Sequence, residues 1–199
     1  QTQQLLDLGF RGIALPGHRL FAPGSGIELN SPEMMDIYRL LESRDAFLSI
    51  CLYDGDYHVA QMKEVIAECP NLKIVIGHFG MVTVPGWMEQ IKLAHAKNVY
   101  VESGGITWLF NSEFYPYPTA IRAIRAAADE VGIKKLMWGS DYPRTITAIT
   151  YKMSYDFIER DSSGLLSDAD KRAFLGENAA RLYDFNDVPL LPYIKNMSE

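Results

Sequence analysis

The chain has 199 residues, of which 48% are hydrophobic and 22% charged, a composition typical of a globular protein with a substantial core. Its net charge of −6 argues against nucleic acid or an anionic membrane surface as a partner, and no apolar run approaches the roughly 18 residues of a membrane-spanning helix. The two cysteines, Cys51 and Cys69, make no disulfide framework and, with no signal peptide visible, predict reduced thiols in a cytoplasmic protein.

Short apolar runs alternate with amphipathic helical patterns along the chain. Helices are predicted at residues 1–9, 31–41, 57–68, 86–97, 119–131, 148–160 and 167–183. Strands are predicted at residues 12–15, 47–52, 73–77, 98–102 and 136–139. A loop is expected at residues 18–30, and residues 189–199 are expected to form a surface strap. Because helices separate successive strands, the pattern predicts a parallel sheet with right-handed crossovers.

Local signals mark several helix boundaries. Ser31 and Pro32 form a strong helix start, with a capping side chain followed by proline in the first turn. Ser167 and Asp170 resemble a capping box at the start of the last helix. Gly176 is expected to interrupt that helix.

Five strands are compatible with two α/β architectures. One is five consecutive units of a (β/α)8 TIM barrel, and the other is a complete doubly wound parallel sheet. A whole barrel usually takes about 250 residues, so this chain falls short by roughly the missing units. No repeat, low-complexity run or linker divides the sequence, and we expect one domain over residues 1–199.

Two of the apolar runs end at a single titratable side chain. Residues 73–77 lead into His78, and residues 135–139 lead into Asp141, after which Pro143 blocks further ladder pairing. The carboxyl ends of the strands in a parallel barrel meet at the rim where the chemistry occurs. A histidine and an aspartate at that rim indicate a metal site or an acid/base pair. The alternatives are a buried histidine bonded to a carbonyl group and an aspartate that caps a turn.

Other side chains near predicted strand ends are further candidates. His18 and Arg19 follow the first strand, and Arg19 and Arg144 could clamp a substrate carboxylate in bidentate fashion. Glu102 ends the fourth strand and could bond a substrate hydroxyl, a catalytic group or a helix N-terminus. Trp108 belongs to an aromatic loop that could wall an apolar pocket. Simple exposure or local packing is the alternative for each of them.

The remaining candidates are assigned structural roles. His58 and His95 fall in predicted helices and are expected at the surface. Cys51 lies within a predicted strand with no histidine beside it, which argues against a nucleophile.

Four motifs together resemble the amidohydrolase-2 family of the amidohydrolase superfamily. They are Asn71-Leu-Lys-Ile-Val-Ile-Gly-His-Phe-Gly80, Asn98-Val-Tyr-Val-Glu-Ser-Gly104, Leu136-Met-Trp-Gly-Ser-Asp-Tyr-Pro143 and Gly176-Glu-Asn-Ala-Ala-Arg-Leu-Tyr183. The match covers nearly the whole chain, in order, as the last five β/α units. That family contains TIM-barrel metal-dependent hydrolases, lactonases and decarboxylases. The resemblance therefore implies a partial barrel whose N-terminal units would precede Gln1.

The resemblance also implies roles for individual residues. His78 would be a catalytic or metal-proximal histidine, and Asp141 would be the metal ligand and the general base that activates water, with Zn or Mn as the divalent metal. The family's His-x-His pair would precede Gln1, and its fifth-strand histidine, expected near Leu52 and Tyr53, is absent. Tyr53, at the position of the missing histidine, is then expected to contact the substrate. The metal is expected to be weakly bound or absent, because one aspartate and one histidine do not satisfy a three-ligand zinc site.

The activity that the resemblance implies is hydrolysis of an ester, lactone or amide bond in a small carboxylated or cyclic substrate, with Asp141 as base. Non-oxidative decarboxylation is the alternative within the family. A non-catalytic binding module or an inactive fragment is the alternative outside it. The expected partner is a small-molecule substrate, with no nucleic acid and no membrane, and a homo-oligomer is compatible with the sequence. Strand order distinguishes the barrel from the doubly wound sheet.

Overall fold

Five parallel strands form one sheet in the computed structural model, which describes residues 1–185. The strands are β1 (Gly12–Leu15), β2 (Phe47–Ile50), β3 (Lys73–Ile76), β4 (Val99–Glu102) and β5 (Leu136–Met137). All five predicted strands are present, with ends one or two residues shorter in four of them. The surface strap predicted at residues 189–199 lies outside the described residues.

The strands lie side by side in chain order, β1-β2-β3-β4-β5, and every neighbouring pair is parallel. The register places Phe47 between Gly12 and Lys73, and Glu102 opposite Met137. A doubly wound sheet reverses its strand order at a switch point, and this sheet does not. The structure thus confirms the partial barrel and contradicts the doubly wound alternative.

Helices connect the strands, and helix side chains pack on the outer face of the sheet in one core cluster, except those of the last helix, described below. Among residues 1–185 they are α1 (Thr2–Asp7), α2 (Gly17–Leu20), α3 (Pro32–Ser43), α4 (Val59–Glu68), α5 (Trp87–Lys92), α6 (Ile106–Leu109), α7 (Pro118–Val131), α8 (Met153–Glu159), α9 (Asp168–Arg172) and α10 (Asn178–Leu182). None of the helices within this described part is long and apolar enough to cross a membrane.

The local helix signals act as expected at two helix starts. Ser31 Oγ accepts the backbone N–H of Met34 at 3.4 Å, with Pro32 as the first residue of α3. Ser167 and Asp170 form a reciprocal capping box at α9. Strand residues Leu48, Ile50, Ile74, Ile76, Val99, Val101 and Leu136 are buried with the helices in one core cluster.

The inner face of the sheet is covered by the last helix. Phe47, Val75 and Met137 form a second buried cluster with Leu182 of α10, and Tyr183 packs against it. Residues two apart in a strand share a face, so Glu102 lies on the same side of β4 as Tyr100, which also packs against this cluster.

Two buried asparagines, one from each of two family-like motifs, tie loops to the sheet. Asn98 Nδ2 donates to the carbonyl groups of Cys69 and Leu72, at 3.3 and 2.7 Å. Asn178 Nδ2 donates to the carbonyl groups of Ile133 and Leu136, at 2.8 and 2.7 Å. Because each asparagine bonds two carbonyl groups just before or at the start of a neighbouring strand, it helps to fix where that strand begins.

Several predicted boundaries are wrong. The helix predicted at 148–160 begins only at Met153, after a turn in which the Thr150 hydroxyl accepts the Met153 N–H at 3.3 Å. The α-helix is interrupted around Gly176 as expected, but by a π-helical turn, Ala173–Glu177, that joins α9 to α10 rather than by a break in the chain direction. The loop predicted from His18 begins with the short helix α2.

His58 is buried, which contradicts the surface position predicted for it. Its Nδ1 accepts the backbone N–H of Tyr53 at 2.9 Å, and its Nε2 lies 3.0 Å from the carbonyl oxygen of Phe21, which makes Nε2 the protonated nitrogen. The ring thus joins the loops after β1 and β2. Burial lowers the pKa of His58, and this outweighs the opposite effects of the Phe21 carbonyl and Glu28.

This lowered pKa predicts a pH-dependent loss of stability. In the unfolded chain His58 takes up a proton as the pH drops below 6.5, whereas in the folded protein it stays unprotonated until the pH reaches its lower folded-state pKa. The free energy of unfolding therefore falls as the pH drops from 6.5 through the folded-state pKa. Urea unfolding across pH 5 to 8 should show this slope reduced in His58→Gln. That variant should also lose about 1–3 kcal/mol at pH 7.5 through its unpaired partners. Replacement of exposed His95 by Gln is the control, and it should change the free energy of unfolding by no more than about 0.5 kcal/mol. If the free energy of unfolding of His58→Gln depended on pH as steeply as that of the wild type, the prediction would be contradicted.

Candidate active site

His78 and Asp141 meet at the carboxyl-terminal rim of the sheet. His78 follows β3 and Asp141 follows β5, and His78 Nε2 lies 3.8 Å from Asp141 Oδ1. Both residues have left-handed backbone conformations, with φ of 53° and 51°. Non-glycine residues adopt this region at a cost, and such strain is concentrated at functional sites. The two side chains are about one-quarter exposed, so a small molecule can reach them.

Trp108 fixes the carboxylate of Asp141. Its indole N–H donates to Asp141 Oδ2 at 2.8 Å, while Oδ1 faces His78. The Trp108 ring lies edge-on to the His78 ring, with centroids 5.8 Å apart, and the guanidinium of Arg144 lies 5.5 Å from the centre of the Trp108 ring. The indole therefore orients both candidate catalytic groups and one cation.

Cys51 is a site residue that the sequence reasoning missed. Its Sγ lies 2.9 Å from His78 Nδ1, so a histidine does stand beside it, contrary to the sequence-based interpretation. Burial raises the pKa of the Cys51 thiol to about 12, with the nearby carboxylates of Glu102 and Asp141 adding to the effect. The thiol is neutral at ordinary pH, and this agrees with the conclusion that Cys51 is no nucleophile.

Glu102 lies beneath the rim, within a cradle of three glycines. Its Oε2 accepts the Gly104 N–H at 2.8 Å, and its Oε1 lies 3.4 Å from the backbone N of His78. A methyl group at Gly77, Gly104 or Gly139 would crowd the carboxylate, and at Gly139 it would overlap Oε2. Burial raises the pKa of Glu102 against the opposing effect of the Gly104 N–H. These contacts make Glu102 a support for the His78 loop.

Two cavities adjoin the His78–Asp141 pair. The outer one, of about 340 Å³, is lined among others by His18, Arg19 and Arg144. The inner one, of about 400 Å³, extends down the inner face of the sheet past Glu102 to Tyr183. His78 and Asp141 line both cavities, so a substrate in either one would reach them.

The remaining predicted site residues divide into two groups. His18, Arg19, Trp108 and Arg144 line the outer cavity, and burial lowers the pKa of His18, with Arg19 and His78 adding to this effect. The ring of Tyr53 instead packs edge-on against those of Tyr57 and His58, at 5.5 and 6.2 Å, and Tyr53 lines neither of the two cavities, although Leu52 and Asp54 on either side of it line the outer one. In the aromatic loop, Phe110 and Tyr117 are buried in the core.

The donors at the rim do not form a complete metal centre. Among residues 1–185, no group of three or more His, Cys, Asp or Glu side chains is arranged to hold a metal ion. Asp141 and His78 offer two ligands, Asp141 Oδ2 is already bonded to Trp108, and the Cys51 thiol faces Nδ1 of His78. A catalytic zinc site uses three protein ligands, so the described residues do not fit one.

Parallel β/α units in chain order, with their polar side chains at the carboxyl-terminal rim, define a protein of the (β/α) barrel class. Residues 2–185 match the family model described as Amidohydrolase, and the chain belongs to this amidohydrolase-2 family.

A curated L-fucono-1,5-lactonase from Burkholderia multivorans is 37% identical over 62 residues, a stretch that covers 31% of this chain and 21% of that enzyme. A Pseudomonas putida structure, provisionally named a 2-pyrone-4,6-dicarboxylic acid hydrolase, superposes with a TM-score of 0.72 at 22% identity, over 94% of this chain and 69% of the other. The structure of a zinc-bound amidohydrolase from Burkholderia multivorans superposes with a TM-score of 0.70 at 17% identity, over 92% of this chain and 69% of that one. These structural similarities establish the fold.

Proposed function

We propose that this chain carries the catalytic rim of a hydrolase that opens an ester or lactone bond in a small cyclic or carboxylated substrate. The observation that carries the proposal is the approach of His78 and Asp141 to 3.8 Å at the ends of β3 and β5, in the walls of two cavities. The 37% identity to a lactonase over 62 residues supports the lactone class. The two free thiols, Cys51 and Cys69, support a reducing cytoplasm as its location.

The geometry leaves both groups available to a substrate. At 3.8 Å, His78 Nε2 and Asp141 Oδ1 are too far apart for a good hydrogen bond to each other, so each can bond to a substrate atom that lies beside the pair. Asp141 Oδ1 would accept a proton from the attacking water while Trp108 holds Oδ2. His78 Nε2–H would donate a hydrogen bond to the carbonyl oxygen and then to the leaving alkoxide oxygen, which takes the proton that Asp141 received from the water. Every step uses side chains of this chain.

The outer cavity carries two guanidinium groups that can bind an anionic substrate, and the carboxylates of Asp54 and Asp141 line it as well. Arg19 and Arg144 line it together with His18, and Arg144 is steadied by the face of Trp108. Guanidinium groups bind carboxylates in bidentate fashion, so a substrate carboxylate would lie at this end while the scissile carbonyl group lies at His78 and Asp141. The proposed substrate is therefore a lactone or ester with one carboxylate some distance from the reacting bond.

A substrate panel on the 199-residue protein tests this proposal. We would follow L-fucono-1,5-lactone, 2-pyrone-4,6-dicarboxylate, a simple aryl ester and an ortho-hydroxybenzoate by NMR, after EDTA treatment and again with added Zn²⁺ or Mn²⁺. Ring opening or ester cleavage supports the hydrolase. Loss of carbon dioxide from the hydroxybenzoate alone would instead indicate a decarboxylase, in which the same pair handles a proton at carbon. Binding of these probes without turnover would favour a binding module.

The cation pair predicts a charge-dependent change in KM. Arg19→Gln and Arg144→Gln should each raise KM for 2-pyrone-4,6-dicarboxylate by about tenfold, because each removes a charge-assisted hydrogen bond. KM for the uncharged L-fucono-1,5-lactone should change far less and serves as the internal control. Equal effects on the charged and the uncharged substrate would show that the arginines do not bind a carboxylate.

A further inference from the structure

The Cys51–His78 contact is built into the backbone of two neighbouring strands. Cys51 follows β2, and its N–H donates to the carbonyl oxygen of Leu15 at 3.2 Å, while its own carbonyl oxygen accepts the N–H of His18 at 2.8 Å. Gly77, the residue before His78, donates its N–H to the carbonyl oxygen of Ile50 at 2.9 Å. These backbone bonds thus hold the residues on both sides of the contact in place.

Glycine at position 77 is needed for the thiol to reach the imidazole. A methyl group there would lie 2.9 Å from Cys51 Sγ, closer than van der Waals contact allows. The backbone of Gly77 has no left-handed φ, so conformational freedom does not explain the glycine. Close approach of the sulfur atom does explain it.

The position of the ring proton follows from the partners of the two ring nitrogens. Nε2 lies 3.8 Å from Asp141 Oδ1, and a carboxylate oxygen favours an N–H over a bare ring nitrogen as its neighbour. Nε2 of a neutral ring is therefore the nitrogen that carries the proton, and Nδ1 must accept. The group at Nδ1 is the Cys51 thiol at 2.9 Å, and a neutral thiol has one S–H to donate.

We propose that Cys51 is a positioning residue, whose S–H donates to Nδ1 of His78 and keeps that imidazole as the neutral Nε2–H tautomer aimed at the reacting oxygen. This inference rests on the proposed function for its consequence, since only the Nε2–H form can donate to a carbonyl oxygen or a leaving alkoxide. The tautomer is set by the hydrogen bond at the other nitrogen, as for histidines in general. The edge contact with Trp108 then holds the ring plane.

NMR of the 15N-labelled 199-residue protein reads the tautomer without any substrate. The chain has four histidines, so His78→Gln assigns the His78 signals by their loss. Long-range 1H–15N spectra should show that Nε2 of His78 carries the proton and Nδ1 does not, both in the wild type and in Cys51→Ser. The serine hydroxyl can still donate a hydrogen bond to Nδ1. Cys51→Ala should lose this preference. Cys69→Ala, the same change at the other free thiol, should leave the His78 signals in place.

Kinetics on L-fucono-1,5-lactone, or on 2-pyrone-4,6-dicarboxylate if only that is hydrolysed, completes the test. Cys51→Ala should lower kcat about 10- to 100-fold, as expected when a site histidine loses its orienting partner, with KM little changed. Cys51→Ser should restore most of kcat. A wild-type Nδ1–H form, or an alanine variant with unchanged spectra, overturns the proposal. If the tautomer is found but no panel compound is hydrolysed, the proposed function fails while the assignment of the hydrogen bond stands.

Discussion

Asp141→Asn should lower kcat for the best lactone or ester of the panel by roughly 10²–10⁴-fold, the range for removal of a general base. Asparagine has the shape of aspartate and tolerates the left-handed φ of 51°, so the backbone at the end of β5 should stay in place. The amide oxygen can still accept the Trp108 N–H, so the free energy of unfolding should change by no more than about 1 kcal/mol. The variant therefore separates the proton acceptor from its structural contacts. Initial rates and urea unfolding of the same preparation measure both quantities.

The matched control is Asp36→Asn, which removes a carboxylate from an exposed position in α3, where its partner is Arg39. Its turnover should equal that of the wild type, because exposed ion pairs have little influence beyond their own surface. Turnover by Asp141→Asn at the rate of the control would exclude the proposed base. A strongly lowered kcat with KM near that of the wild type would agree with a role confined to the chemical step.

Much of the fold can be predicted because parallel strands that are buried on both faces appear in the sequence as continuous runs of apolar residues. After Lys73, residues 74–76 are an uninterrupted run of β-branched side chains, and β3 lies at Lys73–Ile76. The same reasoning places His78 and Asp141 at one rim, where the structure brings them to 3.8 Å, while their chemical roles stay predictions. Strand order follows from neither pattern nor composition, and only the structure excludes the doubly wound sheet.

The rest of the site could not be predicted because it depends on contacts between distant parts of the chain. Cys51 and His78 are 27 residues apart and meet only when β2 and β3 pair. His58 looks like a surface residue in a helical pattern, yet it lies at the start of α4 with both ring nitrogens bonded to loops. A signal was present in the glycines at 77 and 139, which interrupt apolar runs without a turn; each makes room for a side chain from the neighbouring strand.

Gly139→Ala should damage the site more than its size suggests. A methyl group there overlaps Glu102 Oε2 and lies 3.2 Å from both Glu102 Cδ and Gly104 N, so the carboxylate must leave its cradle. If the Glu102 carboxylate is displaced, the backbone N–H groups of Gly104 and His78 lose their hydrogen-bond acceptor. The carboxylate would then move toward the inner cavity, which Glu102 already lines. We expect the free energy of unfolding to fall by about 1–3 kcal/mol and kcat to fall by tenfold or more, since the His78 loop loses its support.

The control and a double variant separate this mechanism from a general effect of alanine. Gly176→Ala adds a methyl group with no atom within 4 Å, in a helical turn, so it should leave kcat unchanged and stabilise the protein by up to about 1 kcal/mol. Glu102→Ala removes the group that Gly139→Ala displaces. If the overlap is the cause, adding Gly139→Ala to Glu102→Ala should cost almost nothing further, because the two changes act on the same contact and are not additive. Additive losses of stability in urea unfolding would mean that the glycine is needed for another reason.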